Sequence, residues 1–496
     1  MQLKTIVASL CAILCAACAT SPTASAWRAA AEADLDALRA TLREDTPIAF
    51  DDENPRMQAW VEEGYRQAQA RLPRVADHTS YFYALAPYIN GFADPHLQLR
   101  ATPSLSIARW PGFIATARGE GALVLFRDDA DESAPPRGAV ILECDGRSIA
   151  ALKAETVFPF TLNAFLAGDQ RTAAPRLFLD RGNIFAPPPR VCVFEEDGAR
   201  VTRPLHWRDI PGDAYWAEFN IAALGPDAAF GVSAPADGVT WIGVPTFANE
   251  AADELRALAE AVAANAEAIR NGRAVVIDVR GNGGGNSAWG DALARALWGD
   301  AVVEAALAAK PASGAVDWRA SPANLAYLQS FAPELIAQFG ADSEVAVWIN
   351  GALAGIEGAI ASGEPFWRER IGEAAGPIAP GGGYTQRRPQ GPSPIPARVY
   401  ILSNGVCVSA CMDFADIALH IPGVRLIGAA TSGDGLLMEV RDQALPSGHA
   451  RAVIPLKVYR GRARAALEAY APDTAYDGIW TDEAVRAWVL ELIAAQ

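Results

Sequence analysis

The residues best spaced to do chemistry lie in the stretch from Val399 to His420, VYILSNGVCVSACMDFADIALH. Val399-Tyr400-Ile401-Leu402 reads as a buried strand, Ser403-Asn404-Gly405 interrupts it, and Met412, Ala415 and Leu419 recur near the helical period from about Ala410. Ser409 falls at the junction. A hydroxyl there has unpaired backbone N–H groups and the positive end of a helix dipole beside it, a setting that stabilises an oxyanion. A serine at a helix start also serves as an N-cap, and this stretch taken alone favours the cap.

A second cluster follows another apolar run. Ala274 to Arg280 reads as a buried strand, Gly281-Asn282-Gly283-Gly284-Gly285-Asn286 as a turn, and Ser287 to Leu297 as a helix. Gly283-x-Gly285-x-x-Ala288 formally matches a dinucleotide-binding turn. Its place deep in an exported chain argues against a nicotinamide cofactor. Glycines also let a substrate approach the backbone, and their N–H groups can donate to a developing oxyanion. A tight turn needing positive φ would use the same residues.

Composition narrows the field. A net charge of −16 over 496 residues argues against nucleic acid and anionic membrane surfaces as partners. The chain has only four lysines, Lys4, Lys153, Lys310 and Lys457, and five scattered histidines with no metal-ligand spacing. Lys4, the apolar run Ile6 to Ala17 and the small-x-small Ala24-Ser25-Ala26 read as an export signal ending before Trp27. Lipid attachment at Cys18 is the competing reading; both take the protein out of the cytoplasm, to the periplasm or to a lipid anchor in the cell envelope. Of the remaining cysteines, Cys144 and Cys192 sit in strands of one region where a bridge is open to them, whereas Cys407 and Cys411 are expected to pack as small apolar residues.

Four segments follow from the punctuation: residues 1–26 as signal peptide, 27–98 as a helical module, 99–212 as a β-rich domain and 213–496 as an α/β domain with parallel strands. Ala-rich amphipathic patterns near Trp27 to Arg43 and Pro55 to Leu72 mark the helical module, which ends in Asp94-Pro95-His96. In the β-rich domain, Asp145-Gly146 and Asp197-Gly198 are hairpin signals. The α/β pattern runs through a strand at Val239 to Val244 and a long helix at Ala251 to Arg270. A helical and Pro/Gly-rich stretch at about 300–395, including Pro380-Gly381-Gly382-Gly383, interrupts it as a lid or a surface elaboration.

Asp278-Val279-Arg280-Gly281-Asn282-Gly283-Gly284-Gly285 resembles the Asp-x-Arg-x-Asn-x-Gly-Gly signature of the S41 serine peptidases, the tail-specific and tricorn-like proteases. Val408-Ser409-Ala410-Cys411, followed by Gly428-Ala429-Ala430-Thr431-Ser432-Gly433, is similar to that family's nucleophile segment and its Gly-x-x-Thr-x-Gly. The stretch Gly138 to Ile149 looks like part of a PDZ domain. The resemblance implies a ClpP/crotonase-like α/β fold and a peptidase needing no cofactor. It assigns Ser409 as nucleophile, with Ala410 N–H and a glycine N–H from Gly283 or Gly284 as oxyanion donors. Where processing proteases carry a lysine past Thr-x-Gly, this chain has Asp434, so the resemblance points to the tricorn-like Ser/His/Glu branch. His96 then is the general base. Glu468, before Pro472-Asp473, is the acid that orients it, with Asp434 and Glu439 as substitutes.

The expected activity is hydrolysis of peptides or unfolded proteins outside the cytoplasm. Two rivals stay open: a non-catalytic protein on the same fold that binds a lipophilic ligand or a peptide, and an esterase or amidase using the same triad. An unreactive Ser409 marks the first, and ester turnover without peptide turnover marks the second. His420 is explained by a helix C-terminus, and the sequence is silent on oligomeric state.

Overall fold

The computed structural model describes residues 22–309, 314–370, 389, 391–461 and 466–495. The Ala-rich segments form helices α1 (Ala24–Glu44), α2 (Pro55–Gln69) and α3 (His78–Asn90). Thr23 caps α1, Pro55 opens α2 where a missing N–H costs nothing, and Asp77 with Ser80 makes a capping box on α3. Their apolar faces, among them Leu35, Leu38, Val61 and Leu85, share one core with Leu437, Ile454 and Val458 from far along the chain. The turn carrying Asp94-Pro95-His96 leads from α3 into β1 (Gln98–Ala101).

Next comes an antiparallel sheet in the order β2 (Phe113–Arg118), β3 (Gly121–Arg127), β4 (Val140–Cys144), β5 (Val191–Glu196), β6 (Ala199–Pro204). Asp145-Gly146 and Asp197-Gly198 both have positive φ, the geometry that Asp-Gly hairpin turns favour. Cys144 and Cys192 face each other across β4 and β5 and are joined by a disulfide. Helix α4 (Ala167–Leu177) buries Ala173, Ala174 and Leu177 in the core of this sheet, and α5 (Asp213–Leu224) follows β6.

The remaining strands are β7 (Gly231–Ala236), β8 (Val239–Gly243), β9 (Ala274–Asp278), β10 (Ala315–Arg319), β11 (Phe366–Arg370), β12 (Arg398–Ser403), β13 (Arg425–Gly428), β14 (Leu437–Ala444), β15 (Ala450–Arg460) and β16 (Thr474–Ala475). Among the helices between them are α6 (Ala252–Ala264), α7 (Ser287–Trp298), α8 (Pro322–Phe339), α9 (Glu344–Ser362), α10 (Ala410–Leu419) and α11 (Asp482–Ala494). A central sheet runs β7-β8-β9-β12-β13-β16, parallel except for β7. Helices α6, α7 and α10 cover one face and α11 the other. All five residues of β9 are buried, as a parallel strand covered on both faces requires.

Two expectations change here. The long helix over Ala251 to Arg270 is broken at Asn265, whose side-chain amide donates to Ala261 O (2.8 Å) and competes with the helical backbone pattern. The stretch at 300–395 is neither a lid nor a surface elaboration along its described part. Its strands β10 and β11 extend a second sheet, β1-β15-β10-β11, with β14 also on β15, and Trp318 of β10 is fully buried. The α9 helix is long and apolar enough to cross a membrane; here Ile349, Ala352 and Ile356 pack it onto that sheet. Pro380-Gly381-Gly382-Gly383 and Cys18 lie outside the described residues.

Candidate active site

Strands β9 and β12 are parallel neighbours with Asp278 beside Leu402, so the loops leaving their carboxyl ends meet, where open α/β sheets place their ligands. In the first loop, Arg280 folds back to donate through Nε to Asp278 Oδ1 (2.9 Å) and through Nη2 to Asp278 Oδ2 (2.8 Å) and Asp482 (2.9 Å). Strand pairing accordingly stops at Asp278 rather than continuing to Arg280. Buried Asn282 donates to Val244 O (2.9 Å) and accepts from Gly284 N–H (3.0 Å). Asn404, which opens the second loop, accepts from Gly281 N–H (3.2 Å) and donates to Leu224 O (3.1 Å). The Asp-x-Arg-x-Asn residues are thus the frame that fixes the glycine loop against the serine loop.

Ser409 stands at the head of α10 with φ 57° and ψ −127°. A non-glycine residue held in such a conformation costs about 1–3 kcal/mol and persists only where its surroundings over-determine it. They do. Ser409 N–H donates to Asp434 Oδ1 (2.8 Å), Ser432 N–H donates to Cys407 O (2.9 Å), and Met412 N–H closes on Ser409 O (2.7 Å). The side chain of Ser409 makes no capping hydrogen bond, so its hydroxyl is not spent on the N-cap role.

Cys407 and Cys411 do not pack as separate apolar residues. They form a disulfide across a sequence separation of 4, bracketing Ser409. The turn at Ser409 brings their Cα atoms to 5.2 Å, within bridging range.

Gly284 has φ 93°, and a Cβ there would meet Val408 O at 2.6 Å and Ser409 Cβ at 2.8 Å. Its missing side chain lets the loop lie against the serine itself. Gly284 N–H is committed to Asn282. Around Gly283 the space is open, and neither Gly283 N–H nor Ala410 N–H donates to a protein acceptor among the described residues.

His96 lies in the turn before β1, its side chain 31% exposed. Its N–H donates to Asp94 Oδ1 (2.9 Å), and its Nδ1 sits 3.4 Å from the same oxygen, buried and without a hydrogen bond of its own. Asp94 is nearly fully buried, and its Oδ2 accepts from Leu437 N–H (3.1 Å). Gly435, next to Asp434, packs so tightly on this carboxylate that a Cβ would come within 2.1 Å of Oδ2. The segment 434–435 therefore links Ser409 on one side to Asp94 and His96 on the other. Ser409 and His96 are not hydrogen-bonded to each other.

Glu468 lines a cavity of about 590 Å³ together with Asp94, Gly435 and Trp60. Its segment is tied down by Thr431, which donates its N–H to Tyr470 O (3.1 Å) and accepts from Tyr470 N–H (2.9 Å), and by Leu467 N–H on Asp434 O (2.8 Å). Of the substitutes, Asp434 holds the serine backbone, and Glu439 pairs with Lys457 (3.3 Å). His420 ends α10 with Nδ1 on Asp416 O (2.6 Å). The contact of Asp94 with His96 was not drawn from the sequence; its signal was an aspartate two residues before a histidine in a turn, the spacing of an Asx turn.

Comparison with known proteins places part of the chain beside one family. The model of peptidase family S41 matches residues 238–476. Mature CPAF complexed with lactacystin is similar with a TM-score of 0.58 at 14% identity, over 95% of this chain and 100% of that one. Mature CPAF alone gives 0.58 and 14% over 95% and 98%, and a CPAF mutant 0.56 and 14% over 93% and 95%. At such identity these likenesses speak for the fold. No match was found among the curated proteins. Residues 238–476, the span that holds the glycine loop, Ser409 and Glu468, are thus similar to the serine peptidases of family S41.

Proposed function

We propose that this chain is an exported serine endopeptidase that cuts peptide bonds through an acyl-enzyme on Ser409. The observation that carries the reading is Ser409 itself: a positive-φ serine at a helix head, its hydroxyl unspent, between the glycine loop and the 431–435 loop. His96 Nε2 accepts the hydroxyl proton as Ser409 Oγ bonds to the peptide carbonyl carbon. The oxygen that gains charge is met by the N–H groups of Gly283 and Ala410, Gly284 N–H being held by Asn282. When the C–N bond breaks, His96 returns the proton to the leaving amine. Water, deprotonated by the same imidazole, then releases the acyl group.

On this geometry the acid that orients His96 is Asp94, because it stands at Nδ1. Glu468 is the alternative, reached through the cavity wall that the two acids share. Two disulfides support export, since such bridges persist in oxidising compartments. Residues 99–212 are proposed as a PDZ-like domain that captures substrate tails.

The test is fluorophosphonate labelling of the purified protein with peptide mapping of the adduct. The label is expected on Ser409, lost in Ser409→Ala, and at least about tenfold slower in His96→Ala. Asp94→Asn slows it more than Glu468→Gln if Asp94 orients the ring. A folded protein that takes no label on Ser409 would overturn the reading in favour of a ligand-binding protein.

A further inference from the structure

The wall that carries Glu468 belongs to a cavity of about 590 Å³ with a largely apolar lining. The first two turns of α2 supply Met57 and Trp60, the segment after α3 supplies Phe92, and Phe165, Leu436 and Leu467 complete it. Three of these side chains are held by specific restraints. Gly64 and Gly91 seat the Trp60 ring, since a Cβ on them would come to 2.7 Å and 2.2 Å from it, and the indole N–H donates to Tyr88 O (2.9 Å). What the ring offers the cavity is therefore apolar. Leu467 has φ 60°, a conformation that a leucine keeps only under restraint, and its N–H is held by Asp434 O (2.8 Å).

Phe165 is 66% exposed, yet its loop is fixed. Phe165 N–H donates to Asn163 Oδ1 (3.0 Å), and Asn163 Nδ2 donates to Ala93 O (2.9 Å), three residues before His96. A single exposed phenylalanine needs no explanation; one that borders an apolar cavity, on a loop tied to the turn of the proposed base, marks a binding surface. Of the acids on the same walls, Asp94 takes Leu437 N–H and His96 N–H, and Glu53 faces Arg460 (3.6 Å).

The proposed reaction says which half of a peptide passes here. His96 hands its proton to the leaving amine, so that nitrogen lies at the histidine. The residues that follow it run along the His96 turn, whose Ala93 and Asp94 border the cavity. The acyl half is held at the Gly283 and Ala410 N–H groups. We propose that the cavity is the subsite for a large apolar side chain, aromatic or branched aliphatic, on the half of the substrate that leaves as the amine, with Trp60 and Phe165 as specificity-determining residues. The inference rests on the peptidase reading and gives the N-terminal helices a share in the site. Side chains of this kind are mostly buried in folded proteins, so the preference directs cutting to unfolded chains.

The test uses the purified full chain and three amines that differ only in side chain, phenylalaninamide, leucinamide and glycinamide. Calorimetry is expected to show one of the two apolar amines binding at least about tenfold tighter than glycinamide, from burial of a large apolar side chain. In a second assay p-nitrophenyl acetate acetylates Ser409, and each amine competes with water for the acyl-enzyme. The amine nitrogen bonds to the acyl carbon, the C–Oγ bond breaks, and the amine proton passes through His96 to Oγ. This reverses the acylation step, so the amine occupies the leaving side. The favoured apolar amine should be acetylated at least about tenfold faster than glycinamide. Phe165→Ser and Trp60→Ala should shrink that ratio, which is taken within each protein and does not depend on how much of it is active. If Trp60→Ala does not fold, Phe165→Ser, at an exposed position, carries the test. Equal binding of the three amines, binding of none, or acetyl transfer that ignores the side chain would overturn the proposal. Fluorophosphonate labelling separates the two ideas: a labelled protein without apolar preference loses the subsite alone, and apolar binding by a protein that takes no label loses the peptidase reading alone.

Discussion

The disulfide that brackets Ser409 lets global and local stability be pulled apart. In the chain-entropy picture a bridge of separation 4, such as Cys407–Cys411, contributes about 2 kcal/mol, and one of separation 48, such as Cys144–Cys192, about 4 kcal/mol. The smaller term is comparable with the cost of about 1–3 kcal/mol for holding Ser409 at positive φ. Its loss falls on the turn itself. If all of it falls there, the fraction of molecules with Ser409 in place drops by up to about thirtyfold. The bonds from Ser409 N–H to Asp434 and from Ser432 N–H to Cys407 O stay and keep the loss from being larger. The assay pairs the fluorophosphonate labelling rate with thermal melting for two double variants. C407S/C411S should label more slowly with the smaller fall in Tm; C144S/C192S should show the larger fall in Tm with the labelling rate kept. Labelling of C407S/C411S at the unsubstituted rate would refute the reasoning, as would equal slowing in both variants.

Three further outcomes follow from the same geometry. Gly284→Ala puts a Cβ 2.8 Å from that of Ser409 at a φ of 93°, and should destabilise by about 1–3 kcal/mol and abolish labelling; Gly283→Ala, with open space at its Cβ, should label within about tenfold of the unsubstituted chain. Asp434→Ala removes the acceptor of Ser409 N–H and should slow labelling by about ten- to a hundredfold, whereas Asp434→Asn keeps an acceptor oxygen and should restore most of the rate. Burial alone would raise the Asp317 pKa, but Arg368 and Arg460 outweigh it and hold the carboxyl below its ordinary value. A depressed acid contributes stability above its unfolded pKa that is lost as pH falls through the folded one. Melting against pH should therefore show a loss on acidification below the usual carboxylate range that is missing in Asp317→Asn, itself less stable by about 1–3 kcal/mol because Arg460 loses one buried carboxylate and keeps Asp51.

How much of this was legible depended on range. The strand, turn and helix around Ser409, and those around Gly283, are local patterns, and the structure has them within a few residues of where the periodicity put them. Pairings that join distant segments were not legible. Nothing in the alternation of residues 315–319 says that they lie against 457–460, or that Leu35 shares a core with Val458. The glycines were read as making room for substrate, whereas Gly284 makes room for the backbone around Ser409, a fact that depends on a contact between loops far apart in sequence. The bridge between Cys407 and Cys411 was missed for a different reason. Its Cα distance is set by the φ of Ser409, a torsion that residue type alone would have assigned to the other side of the map.

That torsion is also where the motifs acquire a common purpose. Arg280 and Asn282 shape the glycine loop, Asn404 ties it to the serine loop, and Thr431 ties the 431–435 loop to Tyr470. Asp434 then closes on Ser409 N–H. None of these side chains is assigned a proton or an electron pair in the proposed reaction. Each restrains a backbone segment that touches Ser409 or adjoins one that does, and the residue they surround is the one whose conformation is unfavourable on its own. A frame of this density around an unstrained N-cap serine would have nothing to hold. The signature residues outside the proposed triad are thus explained by positioning a single hydroxyl, which is the requirement that a nucleophile imposes and a cap does not.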